Sequence, residues 1–130
     1  MAHRIYANEL EMLHECVETC NYCLESCLEE KDVQMMVDCI RLDRECAAAC
    51  AFLAEAMTRD SAFVPELARA CAVICKACAQ ECGKHKHAHC QECARVCTEC
   101  ASMCDRFTHE LSDRLMGPVT FSCLLKKGFV

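Results

Sequence analysis

Cysteine side chains recur along this sequence at the spacing of helical turns. The segment HCQECARVCTECASMC, residues 89–104, contains five cysteines separated by three, four, three and four positions. A four-three-four spacing occurs twice more in the chain. These repeats are Cys16, Cys20, Cys23 and Cys27, and Cys71, Cys75, Cys78 and Cys82. Because thiolates bind soft metal ions and undergo oxidation, the repetition indicates metal or redox chemistry on the elements that carry it.

The residues between the cysteines favour α-helix almost throughout. Ala, Leu, Glu, Met, Lys and Arg are good helix formers, and the 130 residues include only 3 glycines and 2 prolines. Three breaks in the pattern separate four predicted helices, at about 4–29, 33–58, 63–82 and 88–114. We expect Asp60 or Ser61 to cap the third helix and Gly83 to follow its last turn. Short connections predict an all-α, antiparallel up-down-up-down four-helix bundle.

On a helical wheel, each set of cysteines forms a stripe along one face. An α-helix turns about 100° per residue, so the four cysteines of the first helix fall within an arc of about 60°. Apolar residues continue the register of the thiols: Ile5, Met12, Leu53, Met57, Val64 and Leu67. Glu11, Glu18 and Glu25 lie on the opposite side of the first helix. We therefore expect a bundle core lined by cysteine.

The spacing also indicates an internal duplication. The first helix maps onto the third at an offset of 55 residues, and the second onto the fourth at an offset of 54. The predicted organisation is one cysteine-rich bundle over 1–116, made of hairpins at about 4–58 and 63–114, and a tail over 117–130. The tail contains Cys123 out of register with the other thiols, and no role is predicted for it.

Charge and composition exclude several classes of protein. The formal net charge is −6, and no basic face is present for nucleic acid. The N-terminal residues lack the apolar stretch of a secretory signal, and no run approaches the length of a membrane span. We therefore expect a cytoplasmic protein, in a compartment where thiols stay reduced and cysteine-dense chains favour metal over disulfides.

Packing, disulfide, zinc and iron–sulfur roles fit the thiols less well than the pattern requires. Cysteine can act as a small hydrophobe, but such repetition exposes the chain to oxidation without a packing benefit. Disulfides fit poorly, because side chains at i and i+4 leave a helix in nearly parallel directions and the cysteine count is odd, at 17. A buried Zn(Cys)₄ site retains two negative charges, and no CxxCxxCxxxCP run for iron–sulfur clusters is present.

Cu(I) fits the pattern best. It is soft, prefers thiolate and accepts low coordination numbers. Each Cu⁺ that replaces a thiol proton leaves the total charge unchanged, which a low-dielectric core can tolerate. Many sites in series favour high-capacity storage for sequestration, detoxification or reserve. A structural zinc bundle or a redox-active thiol bundle remains the alternative.

Two segments make a resemblance specific. CIRLDREC from Cys39 to Cys46 and ECGKHKHAHCQECA from Glu81 to Ala94 resemble the cytosolic branch of the bacterial copper storage proteins, over about residues 12–107. The resemblance implies a homotetramer of four-helix bundles that binds many Cu(I) ions through cysteine. It assigns the ligand role to Cys16, Cys20, Cys23, Cys27, Cys39, Cys46, Cys50, Cys71, Cys75, Cys78, Cys82, Cys90, Cys93, Cys97, Cys100 and Cys104.

Five further side chains are candidate ligands. His85, His87 and His89 lie between the last two helices, where they could exchange copper at one mouth of the thiol core or form a solvated loop. The duplication places Met36 and Asp43 in thiol positions, opposite Cys90 and Cys97. Met36 is either a ligand or packing, and Asp43 either faces the core or pairs with a surface arginine.

Two other functions fit the sequence poorly. A di-iron carboxylate enzyme needs two inward Glu-x-x-His motifs, whereas only Glu11–His14 matches and His14 lies opposite the thiol stripe. A copper-responsive repressor would need a basic surface for DNA. The expected protein is therefore not an enzyme and has no nucleic-acid or membrane partner.

Overall fold

A computed structural model describes residues 5–115 of the chain, with side chains described for residues 5–109. The helices are α1 (Ala7–Leu28), α2 (Val37–Thr58), α3 (Val64–Gly83) and α4 (Ala88–Leu115). A short 3₁₀ helix, Val33–Met36, precedes α2. The predicted tail 117–130, including Cys123, lies outside the described residues.

The four helices form an all-α bundle, which confirms the predicted fold class. Each helix packs against the preceding and the following one, and α4 packs against α1. The short connections alternate between the two ends of the bundle. The α1–α2 and α3–α4 connections therefore lie at one end, and the α2–α3 connection lies at the other.

The predicted ends of α3 differ in detail from the structure. Phe63, and not Asp60 or Ser61, occupies the N-cap position, and Pro65 lies in the first turn. The Ser61 hydroxyl instead accepts the Phe63 N–H at 3.1 Å, and Asp60 has a left-handed φ of 55° just after α2. Asp60 thus belongs to the turn that ends α2. Gly83 is the last residue of α3 and does not lie beyond it.

The apolar continuation of the thiol stripes is partly confirmed. Leu53, Met57 and Val64 are buried, as expected, whereas Ile5, which precedes the first residue of α1, is 75% exposed. Leu13, one helical turn before Cys16, is fully buried, while Met12 beside it is half-buried. The core of α1 therefore continues through Leu13.

We call the apolar end of the core the floor, formed by Leu13, Leu53, Met57 and Val64. All four side chains are buried at the end of the bundle that carries the α2–α3 connection. Beside them, the rings of Tyr6 and Phe107 make an edge-to-face contact at 5.5 Å. Within residues 5–115, no helix is long and apolar enough to cross a membrane.

Candidate metal centre

The sixteen predicted cysteine ligands all lie inside the bundle. Fifteen have no exposed surface, and Cys71 is 1% exposed. They are buried because the three- and four-residue spacing keeps every thiol of a helix on its inner face. Four helices therefore bring their stripes together in one thiol core, as the sequence predicted.

Sulfur atoms from different helices lie close together. The sulfur atoms of Cys39 and Cys82 are 3.1 Å apart, those of Cys46 and Cys75 are 3.3 Å apart, and other pairs from different helices reach 3.9 Å. A disulfide requires a sulfur–sulfur distance of about 2.05 Å. The cysteines of residues 5–109 are accordingly free thiols.

Several groups of four ligand atoms lie within 4.8 Å of one another. One group spans the middle of the core, and another lies at the end near the histidines. Examples are Cys16, Cys20, Cys46 and Cys97; Cys20, Cys78, Cys93 and Cys97; and Cys23, Cys27, Cys39 and Cys90. Because Cys20 and Cys97 belong to two of these groups, neighbouring groups share sulfur atoms. Such overlap allows thiolates to bridge adjacent ions.

Asp43 is fully buried among the thiols, which confirms that it faces the core and excludes the surface ion pair. Its Oδ1 accepts hydrogen bonds from the thiols of Cys78, Cys82 and Cys93, at 3.2–3.3 Å. Its Oδ2 lies 3.8 Å from the sulfur of Cys39. Thus one carboxyl contacts thiols from three helices. In the internal duplication its position corresponds to that of Cys97.

Burial disfavours charge throughout this core. It raises the pKa of the Asp43 carboxyl to about 8, and the nearby thiol of Cys93 adds to the increase. Burial likewise raises the pKa of the Cys90 thiol to about 12 and that of the Cys27 thiol above its usual range. Burial therefore favours the protonated, neutral form of the Asp43 carboxyl and of the Cys90 and Cys27 thiols near pH 7.

The three predicted histidines have different surroundings. His89 alone contacts the thiols: its Nδ1 lies 3.5 Å from the sulfur atoms of Cys23 and Cys90 and 3.9 Å from that of Cys27. The ring of His87 stacks on that of His89 at 5.4 Å. His85 turns away and contacts the Glu81 carboxylate at 3.0 Å. The sequence placed all three at one mouth, but only His89 reaches the thiol core.

Two carboxylates hold the rings of His87 and His89, and the sequence analysis did not identify them. Glu30 Oε2 contacts His89 Nε2 at 2.8 Å and His87 Nδ1 at 3.3 Å, and Asp32 Oδ1 contacts His87 Nε2 at 3.2 Å. We call this end of the core the mouth, formed by His87, His89, Glu30 and Asp32. The acidic turn was visible in the sequence as EEKD, but its pairing depends on the packing of two connections.

Met36 is fully buried at the beginning of α2, near the mouth. Its thioether is therefore inside the protein, as both readings of this residue required. His14 is exposed on α1, away from the thiols, so the single Glu-x-x-His match does not face the core.

The fold and the site together define a helical metal-binding protein whose interior is built from thiols. Residues 2–109 match the family described as "Copper storage protein". The chain belongs to the copper storage protein family. Storage of Cu(I) by a cysteine-lined four-helix bundle is the function of this family, so the chain is a store for several Cu(I) ions and not an enzyme.

Solved structures agree with this assignment. Cu(I)-bound copper storage protein BsCsp3 is 46% identical, with a TM-score of 0.77 over 79% of this chain and 97% of the other. A cytosolic copper storage protein from Streptomyces lividans, solved with five coppers, is 31% identical, with a TM-score of 0.77 over 82% and 94%. The same Streptomyces protein has been solved loaded with 10 copper equivalents.

A curated relative is closer in sequence over a shorter stretch. The uncharacterized cysteine-rich protein YhjQ from Bacillus subtilis (strain 168) is 50% identical over 84 residues. These residues represent 65% of this chain and 78% of the relative.

Proposed function

We propose that this chain stores Cu(I) in the cytoplasm and binds it through the sixteen core cysteines. The observation that carries the proposal is a thiol core whose buried polar and charged residues, among those described, are only Asp43 and Thr108. Such a core has no cation to compensate several Zn(Cys)₄ sites, each with two negative charges. Cu⁺ exchanged for a thiol proton leaves the charge of the core unchanged.

Three other side chains complete the proposed ligand set. Asp43 would supply a carboxylate oxygen where the thiols of α2, α3 and α4 meet. His89 would supply Nδ1 beside Cys23 and Cys90, and Met36 a thioether near the same end. His85 and His87 would act only as outer, exchangeable contacts, because neither ring touches a core sulfur in the contacts described.

Copper would enter and leave at the mouth. The imidazole of His89 is 12% exposed and contacts three core thiols, so it lies between solvent and the metal store. An imidazole nitrogen is a neutral ligand that exchanges more readily than a buried thiolate. The floor offers no comparable group, because its four side chains are buried hydrocarbon and thioether.

We further propose that the protein assembles as a homotetramer, as the family resemblance implies. Some large apolar side chains are exposed on the outer faces, where an assembly would cover them: Tyr22 is 68% exposed, Met35 73% and Val73 66%. The tetramer itself rests on the family resemblance. A cytoplasmic location is supported by the cytosolic Streptomyces relative. Sedimentation of the metal-free and loaded protein would test the tetramer, and a monomer in both states would refute it.

An anaerobic Cu(I) titration against a competing chelator tests the storage function. We expect tight binding that approaches one copper per core cysteine, with thiols counted on the same sample and protons released during loading. Saturation at a few ions, with Zn²⁺ competing well, would instead support a structural zinc bundle. Rapid formation of disulfides without metal uptake would support a redox-active thiol bundle.

A further inference from the structure

Glu30 connects the solvent side of the mouth to the ring that touches the copper store. One oxygen, Oε2, lies 2.8 Å from Nε2 of His89 and 3.3 Å from Nδ1 of His87. The Glu30 side chain is 30% exposed and that of His89 is 12% exposed. The carboxylate therefore lies just outside the imidazole and on the opposite side of it from the thiols.

This contact fixes the tautomer of His89. A carboxylate only accepts hydrogen bonds, so the hydrogen atom of the neutral imidazole must be on Nε2. Nδ1 then presents its lone pair, and this is the nitrogen 3.5 Å from the sulfur atoms of Cys23 and Cys90. The opposite tautomer would place a hydrogen atom between Nδ1 and an incoming metal.

We propose that Glu30 is a positioning residue for copper transfer, which holds His89 in the orientation and tautomer that present Nδ1 to Cu(I) beside Cys23 and Cys90. The inference rests on the proposed role of His89 at the mouth. Glu30 does not touch the metal path itself and acts through the imidazole. Carboxylates that orient metal-binding histidines in this way also make the ring a better donor.

Asp32 provides a natural comparison. It lies at the same mouth, but its carboxylate contacts only Nε2 of His87 in the contacts described, and His87 does not touch a core thiol. If the acidic turn served only to attract Cu⁺ by its charge, both carboxylates would matter to a similar extent. If Glu30 orients His89, only Glu30 matters strongly.

Three variants separate these roles: Glu30→Ala, Glu30→Gln and Asp32→Asn. Glu30→Ala removes the acceptor, whereas Glu30→Gln removes the charge but retains a carbonyl oxygen that can accept from Nε2. Transfer of the first Cu(I) equivalents from a chromophoric chelator would be followed by stopped flow. We expect Glu30→Ala to slow transfer about tenfold, Glu30→Gln to recover most of the rate, and Asp32→Asn to remain near wild type.

Long-range ¹H–¹⁵N correlation spectra of the metal-free protein provide a direct readout. We expect the Nε2–H tautomer of His89 in wild type and Glu30→Gln, and a mixture of both tautomers in Glu30→Ala. Circular dichroism and the final copper capacity should be the same in all variants. A purely structural role for Glu30 would change stability without changing the tautomer.

The double variant Glu30→Ala/His89→Ala keeps the two proposals distinguishable. If Glu30 acts through His89, its removal should have no further effect once the ring is gone. A transfer rate unchanged in His89→Ala alone would overturn the proposed role of His89. If His89→Ala slows transfer but Glu30→Ala leaves the rate normal or the tautomer unchanged, the proposed role of Glu30 is overturned and that of His89 stands.

Discussion

The two ends of the thiol core are built from different chemistry. At the floor, Leu13, Leu53, Met57 and Val64 close the bundle with buried apolar side chains. At the mouth, the partly exposed ring of His89 contacts three thiols and is held by a carboxylate from the neighbouring connection. The same four helices thus carry an apolar seal at one end and exchangeable polar ligands at the other.

The two ends should therefore control different properties, namely the stability of the fold at the floor and the exchange of copper at the mouth. Apolar burial stabilises the fold whether or not metal is present, because it depends only on the removal of hydrocarbon from water. The thiols and Asp43 bring polar groups into the core, where they contribute fully only when metal occupies them. We therefore expect the floor to hold the metal-free bundle together and the mouth to set the rate of copper transfer.

The largest expected effect is on local stability: copper binding should stabilise the helical turns around the thiols much more than the floor. A ligand at 1,000 times its Kd stabilises the folded state by about 4.1 kcal/mol, and each occupied thiol site adds its own contribution. Amides in the turns around Cys20, Cys46 and Cys97 should become about a thousandfold slower to exchange in the loaded protein. Those around Leu53 should gain less, because the floor contacts no metal.

Hydrogen–deuterium exchange with mass spectrometry would measure this change in both states. Removal of copper with a chelator should restore the metal-free pattern and serves as the control. An equal gain at both ends would mean that floor and thiol core open only as one unit.

The next effect concerns the pH dependence of the metal-free protein. Because burial raises the pKa of Asp43 to about 8, the folded state binds this proton more tightly than the unfolded state does. The resulting stability is fully present below the unfolded pKa near 4 and is lost as pH rises through 8. Between pH 5 and 8 the free energy of unfolding should fall by about 4 kcal/mol, or about 1.4 kcal/mol per pH unit.

Urea unfolding of wild type and Asp43→Asn across this range tests the assignment, because the difference between the two isolates one carboxyl. The titratable groups beside it are the thiols of Cys23, Cys39, Cys78, Cys82 and Cys93, and the variant retains all five cysteines. Parallel curves for the two proteins would show that Asp43 does not titrate in this window.

A smaller effect is expected from a cavity in the floor. Leu53→Ala removes a side chain that is 1% exposed, and such truncations cost about 3 kcal/mol. Phe52→Ala is the matched control on the same helix, because Phe52 is 52% exposed and its loss should cost no more than about 0.5 kcal/mol. Copper capacity should be unchanged in both, and a loss of capacity in Leu53→Ala would show that the floor also shapes the metal sites.

The sequence predicted this arrangement unevenly. The helical period located all sixteen buried thiols, because burial of a repeated stripe requires only the correct periodicity. The internal duplication placed Asp43 in a thiol position but left open whether its side chain faces the core. The periodicity misjudged Ile5, which is exposed although its position continues the register of the thiols. Leu13 was overlooked, although it lies three residues before Cys16 and shares its face.

The contacts at the mouth could not be predicted from the sequence, for a different reason. Which histidine reaches the thiols depends on how the α1–α2 and α3–α4 connections pack together. His85, His87 and His89 are spaced by two residues, so no helical periodicity distinguishes them. Only the packing shows that Glu30 and His89 meet, 59 positions apart in the chain.

The smallest expected effect, and the one that most directly tests the comparison, is the loss of the inner histidine. His89→Ala should slow the first copper transfer about tenfold, equivalent to about 1.4 kcal/mol in the barrier. Capacity and the free energy of unfolding should change little, because the thiols and the floor remain. His85→Ala is the matched control, since its ring contacts Glu81 and not the thiol core. Equal slowing in both variants, or unchanged loading and removal after replacement of His85, His87 and His89 together, would mean that copper reaches the thiols by another route.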